Sequence, residues 1–367
     1  MDQGDDDDGP TANADYSVRV AATIGAFTCD EWNGFAATAR GDKANGYNPL
    51  VSFGFLSALE DSGCAVRRTG WQGHHLRLET AQGKLLGAVP CYLKSHSQGE
   101  YVFDHGWSDA FERAGGRYYP KLQCSVPFTP VTGPRLLVSR GEDEAAGFLH
   151  RTDQQFHFFN EGFSSYDDFL ATLASRKRKA MKKERREALA DGISIDWLTG
   201  RDITERVWDD FFAFYMDTGG RKWGRPYLNR QFFSLIGERM AEDILLVMAK
   251  RNGRYIAGAI NFIGSDALYG RNWGCIEDHP FLHFEVCYHQ AIDFAIERKL
   301  KVVEAGAQGE HKLARGYQPV TMHSAHYIAH PGLRNAVADY LRRERREVER
   351  MGEYLEEHTP FRKDLKE

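Results

Sequence analysis

The chain has 367 residues, 42% of them hydrophobic and 13% aromatic, and a formal net charge of −5. That length exceeds the ~250–300 residues at which a single core stops growing, so two domains are expected, and the mild acidity excludes a global drive toward nucleic acid or anionic membrane. No apolar run reaches the ~18 residues of a membrane span, and no secretory leader pattern is visible. The six cysteines are scattered without a C-x-x-C pair, which argues against a disulfide framework or zinc site and for a cytoplasmic setting.

In chain order, residues 1–15 hold the acidic block Asp5 to Asp8 with Gly, Pro and Asn, the composition of a disordered tail. Tyr16 to Val20 reads as a strand, followed by helices over Thr28–Ala39 and Ser52–Ser62, with Thr28 and Ser52 as N-caps. His75 to Glu79, Leu85 to Leu93 and Tyr101 to Asp104 read as three strands. A helix over Ser108–Tyr118 and a proline-broken stretch, Lys121 to Val138, come next. Glu142 to Arg151 is ambiguous, and Gln155 to Phe159 reads as a strand.

Tyr166 to Asp191 carries the strongest helical signal and ends at Gly192. Eight of the eleven residues from Arg176 to Arg186 are basic, with Arg176, Lys179 and Lys183 along one side. Phosphate contact, to tRNA or a cofactor, is one reading of that density, and a solvated charged helix is the other. Ile193 to Leu198 is a strand, and helices over Thr204–Thr218 and Asn229–Ala241 flank a loop, Gly219 to Pro226, that contains Arg221.

Two β-rich runs, Ile244 to Ala249 and Tyr255 to Ile263, join through Asn252-Gly253 as a hairpin. A third strand covers Ala267 to Trp273. Phe284, Cys287, Tyr288, Ala291 and Ala295 mark one face of a helix, and Val302 to Ala305 is a buried strand entering the turn Gly306 to Pro319. A polar helix spans 333–358. Leu86-Gly87-Ala88 lies over Ala257-Gly258-Ala259, Gly83 over Gly253 and Trp107 over Trp273 at nearly constant separation. The pattern reads as an internal duplication; chance likeness of two meanders is the alternative.

Three antiparallel strands, a helix, one more strand and a Gly-rich polar turn resemble the second half of a GNAT-type acyltransferase. The duplicated halves, the basic helix and Lys312 to Pro319 resemble the Fem-type peptidoglycan aminoacyl transferases. Tyr101 to Trp107, Glu277 to Glu285 and Glu304 to Tyr317 are similar to the Fem-related predicted N-acyltransferase family. The resemblance implies an α/β fold with mixed sheets and two GNAT-like halves in tandem. The expected layout is a tail (1–15), an N-terminal half (16–165), a basic connecting helix (166–192), a C-terminal half (193–330) and a polar helix (331–367). It also implies acyl or aminoacyl transfer to a small-molecule or peptide amine by direct attack in a ternary complex, from acyl-coenzyme A, an acyl carrier protein or aminoacyl-tRNA. The usual coenzyme A turn, Gln/Arg-x-x-Gly-x-Gly/Ala, is incomplete: Arg113 to Gly116 and Arg271 to Gly274 each lack the second small residue.

Such transfer needs a base for the amine and donors that polarise the carbonyl. Glu304, in an otherwise apolar strand, is the first candidate base, where burial would raise its pKa; an ion pair with an arginine is the structural alternative. Glu310 and His311 on the turn are further candidates, as are Asp104 and His105 in the other half. Donor or substrate contacts are expected from Gln308, Gly309, Lys312, Arg315, Tyr317, Arg221 and Trp273, and from Arg176, Lys179 and Lys183. Glu285, His289 and Asp293 recur at helical spacing near His279 and His283, but no zinc motif accompanies them and no metal is expected. A GNAT scaffold that binds an acyl carrier or RNA without catalysis is the reading from a different class.

Overall fold

The computed structural model describes residues 16–36, 46–133, 135, 137–138, 147–223, 226–306 and 309–362. The acidic stretch 1–15 and residues 142–146 of the ambiguous segment lie outside these. Strand β1 (Tyr16–Ala21) is followed by α1 (Cys29–Phe35) and α2 (Phe53–Asp61). Thr28 Oγ1 accepts the Glu31 N–H while Glu31 Oε2 accepts the Thr28 N–H, so two end donors of α1 are satisfied reciprocally. Ser52 caps α2, as its position before an apolar run predicts. Next come β2 (Trp71–Gly73), β3 (His75–Thr80), β4 (Leu85–Val89), β5 (Tyr92–Lys94), α3 (His105–Arg113), β6 (Lys121–Gln123) and β7 (Leu137–Val138). They form two small sheets, ordered β1-β3-β4-β7 and β2-β5-β6.

The remaining elements are β8 (Leu149–Phe159), α4 (Tyr166–Ala171), α5 (Ser175–Ala188), β9 (Ile193–Thr199), α6 (Glu205–Trp223), α7 (Arg230–Met240), β10 (Ile244–Arg251), β11 (Arg254–Ile263) and β12 (Ala267–Cys275). After β12 a short α8 (Leu282–Phe284), a π-helical turn (Glu285–His289) and α9 (Gln290–Glu297) run on as one rod. Then β13 (Val302–Glu304), a 3-10 turn (Glu310–Arg315), β14 (Gln318–His326) and α10 (Pro331–Glu357) complete the chain. Seven strands form one sheet, ordered β14-β8-β13-β12-β11-β10-β9.

The fold is mixed α/β, with two similarly built halves in tandem, and the duplication is legible in its hydrogen-bond register. Apart from the short β2, which joins the other small sheet, the order β1-α1-α2-β3-β4 recurs as β9-α6-α7-β10-β11, with the same antiparallel pairs. Leu78 opposes Gly87 as Met248 opposes Gly258, and both hairpins shift register near the turn, after Leu78 and after Ala249. The likeness stops there. Tyr101 to Asp104 is a loop, and Trp107 lies in α3 and has no strand position matching Trp273. The physical reason is Asp104: its carboxylate is held by Ser97, Tyr118 and Lys121, and its carbonyl accepts the Trp107 and Ser108 N–H groups that start α3.

Three further differences matter. Strand β8, expected to belong to the N-terminal half, fills the place between β13 and β14 in the large sheet, so the halves share it. The long helix predicted over 166–191 is two helices, because Leu173 turns into the core and Ala174 N–H bonds Pro360 O. Gly219 to Arg221 continue α6 where a loop was expected. That helix lies so close to β12 that a Cβ at Gly274 would sit 2.1 Å from Phe214 O.

Two cores sandwich the large sheet. Side chains alternate across a strand, so Leu246 and Met248 of β10 enter one core while Leu245, Val247 and Ala249 enter the other. The first core joins Trp32 and Leu56 of the N-terminal half to Phe211, Phe233 and Phe262 of the C-terminal half. The halves are therefore packed as one body.

Candidate active site at a strand fork

Strand β13 runs parallel to β12 for only three pairs, ending at Tyr269 opposite Glu304. β12 continues to Cys275 while β13 stops, so the two strands part at Glu304 and leave a fork. On the other side of β12 the ladder to β11 carries a bulge: Ala259 pairs Trp273 and Asn261 pairs Gly270, so Arg271 and Asn272 together oppose Ile260. A bulge of this kind re-aims a side chain, and here the Arg271 guanidinium turns inward, 5% exposed, beside Glu304.

Glu304 is buried at 4% exposure. Its Oε1 accepts a short hydrogen bond from the Thr132 hydroxyl, and its Oε2 lies 3.6 Å from Arg271 Nη2. Arg271 Nη1 donates to Gly270 O at 2.7 Å, while its Nε and Nη2, and Glu304 Oε2, make no hydrogen bond among the described residues. Arg135 pins the neighbouring turn by donating to Val131 O and Gly133 O at 2.6 and 3.0 Å. Burial lowers the Arg135 pKa to about 10 and lowers that of Arg271, with Glu304 opposing the shift in both. His157, opposite Glu304 on β8, is pushed down by burial, raised by Glu304 and lowered again by Arg271 and Lys312.

Lys312 completes this polar cluster. Its side chain is buried and Nζ donates to Gly306 O at 2.9 Å. Burial, with a smaller push from Arg271, lowers its pKa to about 8. The unfolded chain holds that proton to about pH 10.4, so between the two values the unfolded state binds more protons and stability rises with pH. Over pH 7.5–10 the wild type should gain on the order of 2–3 kcal/mol from this group, and Lys312→Met should lack that increment in urea titrations. Equal pH slopes for the two proteins would refute the assignment.

The other expected residues are dispersed. His311 is exposed on the 3-10 turn, with Nε2 2.9 Å from Tyr288 OH and its ring beside Phe284 and His283. Gly309 permits this, since it has φ +117° and a Cβ there would meet the His311 ring at 2.5 Å. Gln308 and the side chain of Glu310 lie outside the described residues. Asp104 belongs to a separate buried cluster with Lys121, Glu100 and Lys94. Burial pushes its carboxyl up, but Lys121 and the Ser97 and Tyr118 hydroxyls outweigh that and hold it below the ordinary carboxylate value. His105 is exposed and stacks on Phe103.

Tyr317 is a core residue with no exposed surface, and Trp273 is half-buried against His283. Arg315 is buried on Phe284, bonded to Glu184 and His311 O. Arg221 is exposed and paired with Asp217. On α5, Arg176, Lys179 and Lys183 are exposed, whereas Arg185 turns inward to Glu285 and Asp293. The polar stripe Glu285, His289, Asp293 therefore receives a helix: His289 Nδ1 lies 2.6 Å from Tyr166 OH, and its other nitrogen faces Glu184.

Sequence reading missed Thr132, Arg135, His157 and the role of Arg271. The one visible signal was an arginine inside the strand Ala267–Cys275, where every other residue except Asn272 is apolar, aromatic or small. Beside Arg271 opens a narrow pocket between Phe55, Phe128, Phe232 and Phe262, roofed by Thr129 and Asn272.

The FemAB-like family profile, described as peptidoglycan biosynthesis/recognition, matches residues 23–147 and 142–363. No curated protein matches the chain. Among solved structures it is similar to FemX, at 13% identity and a TM-score of 0.47 over 85% of this chain and 98% of that one. It is also similar to L-PGS from Bacillus licheniformis, at 10% identity and a TM-score of 0.38 over 53% and 67% of the two chains. A tandem GNAT protein from the clavulanic acid biosynthesis pathway matches at 12% identity and a TM-score of 0.35 over 85% and 98%.

Proposed function

Since this chain belongs to the FemAB-like family, whose profile spans both of its halves, we propose that it is an N-acyltransferase that passes an acyl or aminoacyl group from an activated donor to an amine. The observation that carries the reading is the fork itself: a buried carboxylate, Glu304, stands where β12 and β13 part, facing a strand edge whose backbone is free of β13 from Gly270 onward. Such an edge offers N–H groups to a carbonyl oxygen, and water is largely excluded beside Glu304.

In this reading the acceptor arrives as an ammonium ion and gives one proton to Glu304. The amine nitrogen then attacks the donor carbonyl carbon, the C–N bond forms, and the C–S or C–O bond to the carrier breaks. The second amine proton goes to the leaving sulfur or oxygen, so the products are an amide, a free thiol or hydroxyl, and one proton on Glu304. Lys312 places a cationic group next to the developing negative charge, in a site where its field is little screened. No covalent enzyme intermediate is required.

The donor is an acyl thioester or an aminoacyl ester. The exposed basic side of α5, with Arg176, Lys179 and Lys183, favours a donor that carries phosphates, whether coenzyme A or tRNA. Native mass spectrometry of the full chain with coenzyme A thioesters, acyl carrier protein and charged tRNA, each with a mixed amine pool, tests the proposal. A new amide together with released thiol or deacylated carrier supports it. Retention of a donor without any amide across all three would instead favour a binding protein.

A further inference from the structure

The N-terminal half carries a pair of thiols that the transferase reading leaves unused. Strand β5 pairs with β6 antiparallel, ending at Tyr92 opposite Gln123. One step further along the same register, Cys91 faces Cys124. Side chains at such a pair project to one side of the ribbon. Their Cα atoms stand about 4.5–5.5 Å apart, inside the ~4.4–6.8 Å that a disulfide spans. The side chains meet: the Cys91 thiol donates to the Cys124 sulfur, and both residues are free cysteines. The Cys91 backbone is fixed, its N–H donating to His75 Nδ1 at 3.3 Å and its carbonyl accepting the His74 N–H at 2.9 Å.

The two thiols are unequal. Cys91 is buried, whereas Cys124 is exposed. The hydrogen bond from Cys91 lowers the Cys124 pKa; burial opposes this, and the Arg135 guanidinium adds to it. Donating that bond raises the Cys91 pKa, and burial raises it further. One sulfur is therefore reachable and disposed to ionise, and the other stands behind it as a protonated thiol, the division of labour that redox-active pairs use. Cys29, which is also exposed, has the opposite setting, because burial and the Asp30 carboxylate raise its pKa. Arg135 also feels the charge of Glu304, and Thr132, on the segment leading from Cys124 to Arg135, bonds that carboxylate. The pair thus sits at the root of the segment that reaches the strand fork.

We propose that Cys91 and Cys124 form a reversible thiol–disulfide site whose oxidant is a hydroperoxide. The Cys124 thiolate attacks a peroxide oxygen: the S–O bond forms, the O–O bond breaks, and hydroxide or alkoxide leaves and takes up the proton that Cys124 gave up. Cys91 then attacks the sulfur of this sulfenic acid. The S–S bond forms, the S–O bond breaks, and water leaves with the Cys91 proton. In sum two thiols lose two hydrogens and two electrons, and hydrogen peroxide becomes two waters. The disulfide ties the root of the segment to β5 and removes a negative charge from beside Arg135. None of this depends on acyl transfer.

The test treats the reduced full chain with hydrogen peroxide, alkylates the remaining thiols and maps tryptic peptides without reductant. Peptides 85–94 and 122–135 should appear joined, two hydrogens lighter than their sum, and dithiothreitol should separate them. Before oxidation, iodoacetamide should label Cys124 at least about tenfold faster than Cys29 near neutral pH. In Cys91→Ser the sulfenic acid has no thiol to meet, so dimedone should trap it at Cys124 and further peroxide should drive it to sulfinic acid. Cys91 is buried, so that variant also tests folding; Cys124→Ser lies at the surface and should abolish the joined peptide while leaving Cys91 reduced.

A wild-type Cys124 that stays reduced under peroxide overturns the inference, as does one that goes to sulfinic acid while Cys91 is still alkylated. Equal labelling of Cys124 and Cys29, or a disulfide from either residue of the pair to a different cysteine, overturns it too.

Discussion

Replacing Glu304 with glutamine is expected to lower turnover by about 10²–10⁴-fold, the usual contribution of a positioned general base. The amide can still meet the Thr132 hydroxyl, but it cannot take a proton from the acceptor. It also leaves the buried guanidinium of Arg271 facing a neutral group, and Arg135 feels the same lost charge. Breaking a buried pair in this way costs about 3–5 kcal/mol, so activity must be measured well below the lowered unfolding midpoint. Glu304→Asp separates the two effects. Aspartate keeps the negative charge near Arg271 but withdraws the carboxylate by one methylene, so stability should change much less than in the glutamine variant while kcat still falls. Misplacement by about 1 Å can cost on the order of 10²-fold in rate. Wild-type kcat in the aspartate and glutamine variants, each shown to be folded by circular dichroism, would remove Glu304 from the mechanism.

The second large effect concerns the joint between the basic helix and the C-terminal half. Arg185→Ala should destabilise the protein by about 3–5 kcal/mol, read from urea midpoints. Arg185 reaches Glu285 through Nε and Nη2 at 2.8–3.2 Å and Asp293 through Nη2 at 2.7 Å, and its guanidinium stacks on Tyr166 at 4.3 Å. Glu285 has no exposed side-chain surface, so the alanine variant strands a buried carboxylate with only Gln290, among the described residues, as a hydrogen-bond donor. Burial alone would lower the Arg185 pKa, and the two carboxylates outweigh it and raise it instead. Arg185→Lys should recover part of the loss, because a lysine keeps the charge and gives up the fork and the stacking. Neutralising Lys179 and Lys183, both exposed on the same helix, should leave stability within about 0.5 kcal/mol. An Arg185→Ala variant as stable as the wild type would show that α5 is held by something else.

These two residues show why basic density along a helix was an incomplete guide. From sequence, Arg176 to Arg186 is one cationic run, and its members are distinguishable only by their angle around the helix. The structure divides them: Arg185 is directed into the protein by Glu285, which sits on a π-helical turn, while Arg176, Lys179 and Lys183 face solvent. Asp104 teaches the converse. Its place in an apparent third strand made it look like the counterpart of a catalytic group, yet it lies in a buried cluster of its own, held by Lys121 and the Ser97 and Tyr118 hydroxyls. A carboxylate's role depends on which charges surround it, and those are brought in by tertiary packing.

The sequence by itself determined the local elements and their repetition. Thr28 and Ser52 mark helix starts because a side-chain oxygen there satisfies end donors three residues on. The hairpin over Ile244 to Ile263 follows from its β-branched runs and the Asn252-Gly253 turn, and Gly87 and Gly258 fall at equivalent places in the two hairpins. Glu304 stood out as a charged residue in an apolar strand. Only the tertiary structure decided what Glu304 meets. Thr132, Arg135 and His157 reach it from the other half of the chain, His157 by the insertion of β8 into the large sheet, and Arg271 is turned toward it by a one-residue bulge. Caps, turns and periodicity are set by neighbours a few residues apart and can be read along a line. Strand insertion and bulge register depend on how two packed sheets close over shared cores, and no local pattern records that.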